Sequence, residues 1–224
     1  MPETIESRLD VRTTLMGEGG MLLECLTPVC LDVQQRLWAV ADSLLKREGI
    51  TDAVCGMGNV LVLFDPAQWP LKRIQEVLRK AWRIAKPTNM RSRQVDVPVQ
   101  YGGERGFDLA LVAGFAGLSP REAAQLHADA EYLVFAIGSS PGFGYLGGLP
   151  ATLAIPRRNV PILRAEKGSV CIGGTQTGVT SAAGPTGWHV IGCTGLSLFN
   201  ANATPPALLA PGDRVRFIVE GIAA

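Results

Sequence analysis

Tyr132-Leu133-Val134-Phe135-Ala136-Ile137 runs straight into Gly138-Ser139-Ser140-Pro141-Gly142-Phe143-Gly144-Tyr145-Leu146-Gly147-Gly148. The first stretch is apolar and strand-length, which predicts a buried strand. The second holds five glycines and a proline, a composition that suits neither a helix nor a regular ladder. Two aromatics, Phe143 and Tyr145, stand inside it, where a plain connection is usually polar. Either backbone approaches a ligand or partner here with aromatic faces as a wall, or the segment is a tight packed turn.

Toward the C-terminus the same texture continues. Val170-Cys171-Ile172, His189-Val190-Ile191-Gly192-Cys193, Leu196-Ser197-Leu198-Phe199 and Val215-Arg216-Phe217-Ile218-Val219 are short apolar runs separated by Gly/Pro turns. Short strands at such close intervals predict a compact β-barrel. Upstream, Ser119-Pro120-Arg121-Glu122 reads as a helix start. Serine caps, proline fits the first turn and Glu122 closes a capping box. That helix is expected to run to about His127. Val95, Val97 and Val99 alternate with Asp96 and Pro98, which predicts a half-buried edge strand.

The first third reads differently. Met21–Leu26 is strand-like, and Val33, Leu37, Val40, Ala41, Leu44 and Leu45 recur at helical spacing before Gly49. Val54-Cys55 leads through Gly56-Met57-Gly58-Asn59 into the apolar strand Val60–Phe64. A second amphipathic helix follows Trp69-Pro70, with Lys72, Arg73, Arg79, Lys80 and Arg83 on its outer face. That charge reads as a solvated face. The β-α-β-α order fits a ferredoxin-like unit, and the polar stretch Lys86–Gln94 with Pro87 reads as a linker. The fold class is therefore α+β: a ferredoxin-like unit over 1–90 followed by a β-barrel over 91–224.

Composition narrows the function classes. Hydrophobic residues make up 47% of the 224, enough for a filled core. Net charge is +1, so the global basic field that nucleic acid or acidic membranes demand is absent. Apolar runs are too short for a membrane span, and polar, acidic Met1–Asp10 is unlike a targeting leader. Cytoplasm is the expected compartment. Cys25, Cys30, Cys55, Cys171 and Cys193 lack C-x-x-C spacing, and only His127 and His189 could join them at a metal. Reduced thiols and no metal site are expected.

Two motifs fail on their own chemistry. Gly138-Ser139-Ser140-Pro141-Gly142 matches the hydrolase elbow G-x-S-x-G, but that motif needs the N–H after its serine, and Pro141 has none. Gly173-Gly174-Thr175-Gln176-Thr177-Gly178-Val179-Thr180 approaches a phosphate-binding loop but puts Val179 at the lysine position. Thr175-Gln176-Thr177 remains a glycine-framed polar loop, able either to hydrogen-bond a small amide or carboxylate or to close a hairpin turn. Arg157 and Arg158, pinned between Pro156 and Pro161, suit carboxylate or phosphate, or simply form a surface pair. His127 is a proton carrier or a helix-end cap. His189, beside Trp188 in a strand, reads as structural.

In order along the chain stand Tyr101-Gly102-Gly103-Glu104, Leu118-Ser119-Pro120 to His127, Pro141-Gly142-Phe143-x-Tyr145-Leu146-Gly147, Pro156-Arg157-Arg158 and Gly168-Ser169-Val170. Then come Gln176-Thr177-Gly178, Gly187-Trp188-x-x-Ile191-Gly192-x-Thr194, Leu198-Phe199 and Pro211-Gly212-Asp213-Arg214-Val215-x-Phe217. This series resembles the B subunits of the bacterial 5-oxoprolinases, a family also labelled allophanate hydrolase subunit 1 and sporulation-kinase inhibitor. The resemblance spans nearly the whole chain and is densest from Val97 to Phe217. It implies a cyclophilin-like C-terminal barrel and likeness to half of the carboxyltransferase domain of urea carboxylase.

The implied reaction is ATP-driven opening of 5-oxoproline to glutamate. Implied partners are a companion carboxyltransferase-like chain, of the C-type or allophanate hydrolase subunit 2 type, and the A-type chain of the oxoprolinase. The resemblance implies that Gly142, Phe143 and Tyr145 wall the pocket. Gln176, Thr177 and Gly178 would hold the lactam or its phosphorylated form. Arg157 and Arg158 would face carboxylate or phosphate, and His127 would transfer a proton. The chain departs from the family's usual residues at Ser139 (often Phe), Ala128 (Ser), Thr180-Ser181 (Tyr-Pro) and Thr186 (a second Gly). Allophanate or another urea derivative as substrate, and histidine-kinase inhibition by a binding module, are the alternative expectations. No metal or biotin site is evident.

Overall fold

The computed structural model describes residues 11–87 and 92–223. The expected leaderless start at Met1–Asp10 and the middle of the expected linker lie outside the described residues. The chain divides into two compact units, Met1–Met90 and Arg91–Ala224.

The first unit runs β1 (Val11–Met16), β2 (Gly20–Cys25), α1 (Leu31–Leu45), β3 (Ile50–Gly56), β4 (Asn59–Phe64) and α2 (Leu71–Ile84). Its antiparallel sheet has the order β1-β2-β4-β3. That is a ferredoxin-like sheet in which the outer strand beside β2 comes from an N-terminal hairpin. Sequence reading misses β1 because this edge strand is mostly exposed and Val-Arg-Thr-Thr-Leu-Met has no apolar alternation. The helices bury Val33, Leu37, Val40, Leu44, Ile74, Leu78 and Trp82 against Met21, Leu23, Val60, Val62 and Phe64. Gln34 is buried among them, and the β3–β4 turn satisfies it. Its amide donates to Gly56 O at 3.0 Å and accepts from Gly58 N at 3.2 Å.

The second unit begins with β5 (Gln94–Gly102), then α3 (Leu109–Ala116), α4 (Pro120–Asp129), β6 (Tyr132–Ile137) and β7 (Gly144–Gly147). It continues through β8 (Ile162–Ala165), β9 (Ser169–Gly173), β10 (Gln176–Val179), β11 (Gly184–Thr186), β12 (His189–Cys193) and β13 (Arg214–Ala223). Seven strands close a barrel in the order β10-β7-β6-β13-β5-β12-β9, and β8 and β11 pair separately.

The structure departs from the sequence reading at β5 and α3 and bears it out at α4. β5 is not an edge strand but lies between β13 and β12. However, β12 pairs only with Gln100 and Tyr101, so Val95–Val99 has a strand on one side, the setting that tolerates Pro98. α3 escapes sequence reading because Leu-Ala-Leu-Val-Ala-Gly-Phe-Ala is apolar all round and gives no helical period. α4 carries the expected capping box, with Glu122 N donating to Ser119 Oγ and Ser119 N to Glu122 Oε2, and it runs on to Asp129.

Strand alternation separates inside from outside. Val134, Leu146, Val170, Ile172, Val179 and Ile191 fill the barrel. Cys171, Trp188 and Val190, with Phe143 and Tyr145 packed on them, form a separate outer cluster.

Candidate functional site

Three segments far apart in sequence meet on that outer cluster, around Trp188. The first is the glycine-rich loop between β6 and β7. Gly142 has φ +80°, and a Cβ there would lie 2.7 Å from Leu198 O, so glycine alone fits. The turn sets Phe143 against Tyr145, with ring centroids 4.9 Å apart and an interplanar angle of 80°. Both rings meet Trp188 edge-to-face, at 5.7 and 6.0 Å. These are the arrangements that aromatic quadrupoles favour.

The β9–β10 hairpin is the second segment. The stretch that approached a phosphate loop is here a tight turn, with Gln176 paired to Gly173 and Gly174 at φ +64°. Gln176 and Gly178 share the outward side of β10 by alternation. A Cβ on Gly178 would sit 2.8 Å from Gly144 O and 3.0 Å from the Phe143 ring. Gly178→Ala is therefore expected to push Phe143 off Trp188 and cost about 1–3 kcal/mol by overpacking. Thermal unfolding together with near-ultraviolet circular dichroism checks this; an unchanged aromatic signal would contradict it.

The third segment is the arm Pro156-Arg157-Arg158. Arg157 lies with its guanidinium 5.5 Å from the Trp188 ring centroid and remains exposed. Arg158 turns the other way and pairs with Asp108. Asp108 is 4% exposed, and its second oxygen accepts from Val190 N at 2.8 Å. Because Asp108 N also donates to Val190 O at 2.9 Å, the start of α3 is fastened to β12. Ile155, Pro156, Arg157, Arg158, Asn159, Val160 and His189 line an open hollow of about 440 Å³. His189 Nε2 lies 3.0 Å from Pro156 O.

Sequence reasoning misses Asp108 and assigns His189 to structure alone. A lone acid in Phe107-Asp108-Leu109-Ala110-Leu111-Val112 is the available signal, since an acid in such a run needs a partner. Its partner stands 50 positions away, beyond the reach of local spacing.

His127 and Thr177 are not on this face. Both are fully buried inside the barrel. Thr177 Oγ donates to Cys171 O at 2.9 Å, so it accepts from His127 Nε2, 2.9 Å away. That leaves His127 Nδ1 to accept from Tyr101 OH at 2.8 Å. Burial holds the imidazole neutral, pulling its pKa down to about 3. Tyr132 and Phe217 pack on the ring at 5.3 and 4.5 Å. The arrangement is a satisfied polar core, and substrate does not reach it in this conformation.

Among the described residues, no group of three or more His, Cys, Asp or Glu is placed to hold a metal ion, and no helix is long and apolar enough to cross a membrane.

The chain is 43% identical over 208 residues to the 5-oxoprolinase B subunit of Escherichia coli O157:H7, covering 92% of this chain and 95% of that one. Among solved structures, TTHA0988 superposes with a TM-score of 0.76 at 31% identity over 94% of this chain, which spans 40% of that longer protein. The Kluyveromyces lactis urea carboxylase superposes with a TM-score of 0.80 at 16% identity over 98% of this chain and 22% of its own, a likeness of fold. The family model for the carboxyltransferase domain, subdomain C and D, matches residues 11–209. The chain belongs to that carboxyltransferase-domain family, in the branch of the bacterial 5-oxoprolinase B subunits.

Proposed function

We propose that this chain is the B subunit of a cytoplasmic 5-oxoprolinase that opens 5-oxoproline to glutamate with ATP. Its companions are a carboxyltransferase-like C-type chain and an A-type chain. The observation that carries the reading is the meeting of the Phe143/Tyr145 loop, the Gln176/Gly178 hairpin and the Arg157 guanidinium around Trp188. An aromatic wall beside a free guanidinium fork suits a small flat ring carrying a carboxylate. Gln176 adds an amide on the same outward side. Thr177 and His127 act from within by fixing β10, on which Gln176 and Gly178 stand. Five free cysteines accord with a reducing compartment.

Phosphorylating the lactam oxygen would make its carbon attackable, which is the chemistry ATP supplies in such a reaction. The residues here do not match a nucleotide loop. Gly173–Thr180 is a hairpin, so no helix N-terminus follows it to receive phosphate. We assign the nucleotide to the assembly and derive no step of this chain through it. The urea-derivative reading gains nothing from urea carboxylase, whose similarity at 16% identity bears on fold alone.

The test is reconstitution with the companion chains and an assay of ATP-dependent glutamate release. Turnover of 5-oxoproline is expected, with KM raised about tenfold or more in Arg157→Met, the scale of a lost charged hydrogen bond. An assembled complex that releases no glutamate while a known 5-oxoprolinase does so in the same assay would remove this substrate.

A further inference from the structure

The face of α3 turned away from the core is apolar from end to end. Leu109, Val112 and Ala113 are buried in the core, whereas Phe107, Leu111 and Phe115 are 52%, 50% and 57% exposed. Ala110 and Gly114 lie exposed between them, and a Cβ on Gly114 would meet nothing within 4 Å. Positions 107, 110, 111, 114 and 115 share one side of a helix with 3.6 residues per turn, and no side chain there carries charge or a hydrogen-bonding group. A surface helix normally turns polar residues outward, and a helix apolar all round belongs to a core. α3 is thus a core helix covered on one side. Its three half-exposed large side chains make a patch on the order of 300 Å², the scale at which a surface patch is often functional. Phenylalanine without charge is also the composition of an interface centre.

The family that residues 11–209 match comprises subdomains C and D of a carboxyltransferase domain, so the complete domain has further subdomains. TTHA0988 is 31% identical and this chain spans 40% of it, so there the same fold is covalently continuous with a larger remainder. A domain divided in this way meets itself across faces that resemble a core cut in half. We propose that the outer face of α3 seats the companion carboxyltransferase-like chain, which brings an uncharged apolar surface to Phe107, Leu111 and Phe115. The identity of the companion rests on the function proposed above; the choice of face follows from the exposure and composition of α3. Asp108, next to Phe107, fastens the start of this helix to Arg158 of the hollow, so the companion sits beside the candidate site.

The test is isothermal titration of the C-type companion chain with the wild-type chain, Leu111→Lys, Phe115→Lys and a control on α1, Leu45→Lys. Leu45 is 47% exposed, which matches the α3 positions. Each α3 substitution should weaken Kd about thirtyfold or more, the scale of an interface hot spot, and the control should stay within about twofold. Lysine suits an exposed helix position, so the melting temperature of each variant should stay close to that of the wild type. In a second measurement, p-benzoylphenylalanine in place of Phe115 should photo-cross-link to the companion in the assembled complex. Wild-type affinity in both α3 variants, or cross-links only to a second copy of this chain, would overturn the inference; 5-oxoproline turnover by that assembly would leave the function standing. Affinity lost in the α3 variants, with no turnover by the wild-type assembly, would support the face and sink the substrate. Equal weakening by Leu45→Lys, or a wild-type chain that does not bind the companion, overturns the inference as well.

Discussion

Lowering the pH from 7 to 4 is expected to destabilise the folded chain by about 3 kcal/mol through His127 alone. The sign follows from the depressed native pKa. Burial holds the native imidazole at about 3, whereas an exposed histidine titrates at its ordinary value of 6.5. Above 6.5 neither state binds the proton, and the barrel keeps its full stability. Between 6.5 and about 3 the unfolded chain takes up a proton that the native core refuses. Stability then falls by up to about 1.4 kcal/mol per pH unit, and the loss is complete below the native value. The hydrogen-bond chain from Tyr101 through His127 and Thr177 to Cys171 O explains why the core keeps the neutral form. Denaturant unfolding of the wild type and His127→Gln from pH 7 to 4 checks this. The wild-type curve should fall more steeply by most of that slope, whatever the variant's absolute stability. Parallel curves would mean that His127 is not held neutral in the folded chain.

Asp108→Ala is expected to cost about 3–5 kcal/mol, because it strips a partly buried arginine of its counter-ion. The Arg158 side chain is 22% exposed and that of Asp108 5%, so solvent replaces the lost carboxylate only in part. The same change removes the acceptor of Val190 N and loosens α3 from β12. Asp108→Asn keeps that acceptor and should lose less. Adding Arg158→Met to Asp108→Ala should recover a large part of the loss, since the unpaired charge goes with it. Urea unfolding of the three variants reads these differences. A loss under about 1 kcal/mol for Asp108→Ala would show that the pair does not hold the arm.

The barrel is legible in the sequence because its strands are short, apolar and bounded by turn residues. Val170-Cys171-Ile172 and Val215–Val219 are examples in which each strand announces itself locally. β1 and α3 are not legible, for opposite reasons. β1 buries too little to need apolar alternation, and α3 is too apolar to show a polar face. At the site, the loops that meet at Trp188 carry local marks: glycines with aromatics, glycines with an amide, and paired arginines between prolines. The direction in which each residue points is harder to read. Leu146 and Val179 face the barrel, so Thr177, opposite Leu146 and two before Val179, must face inward with them. That alternation is present in the sequence, but the polar, glycine-framed neighbours Gln176 and Gly178 make the whole triplet look outward. Asp108 and Arg158 meet only because α3 starts where β12 passes, a tertiary fact that no local spacing encodes.

The most direct test is a crystal structure of the assembled complex soaked with 5-oxoproline. The ring is predicted to lie in the hollow where Arg157 stands over Trp188, with its carboxylate on the Arg157 guanidinium. Occupied density elsewhere in the assembly, with this hollow empty or closed by the companion chain, would contradict the assignment of the site to this face.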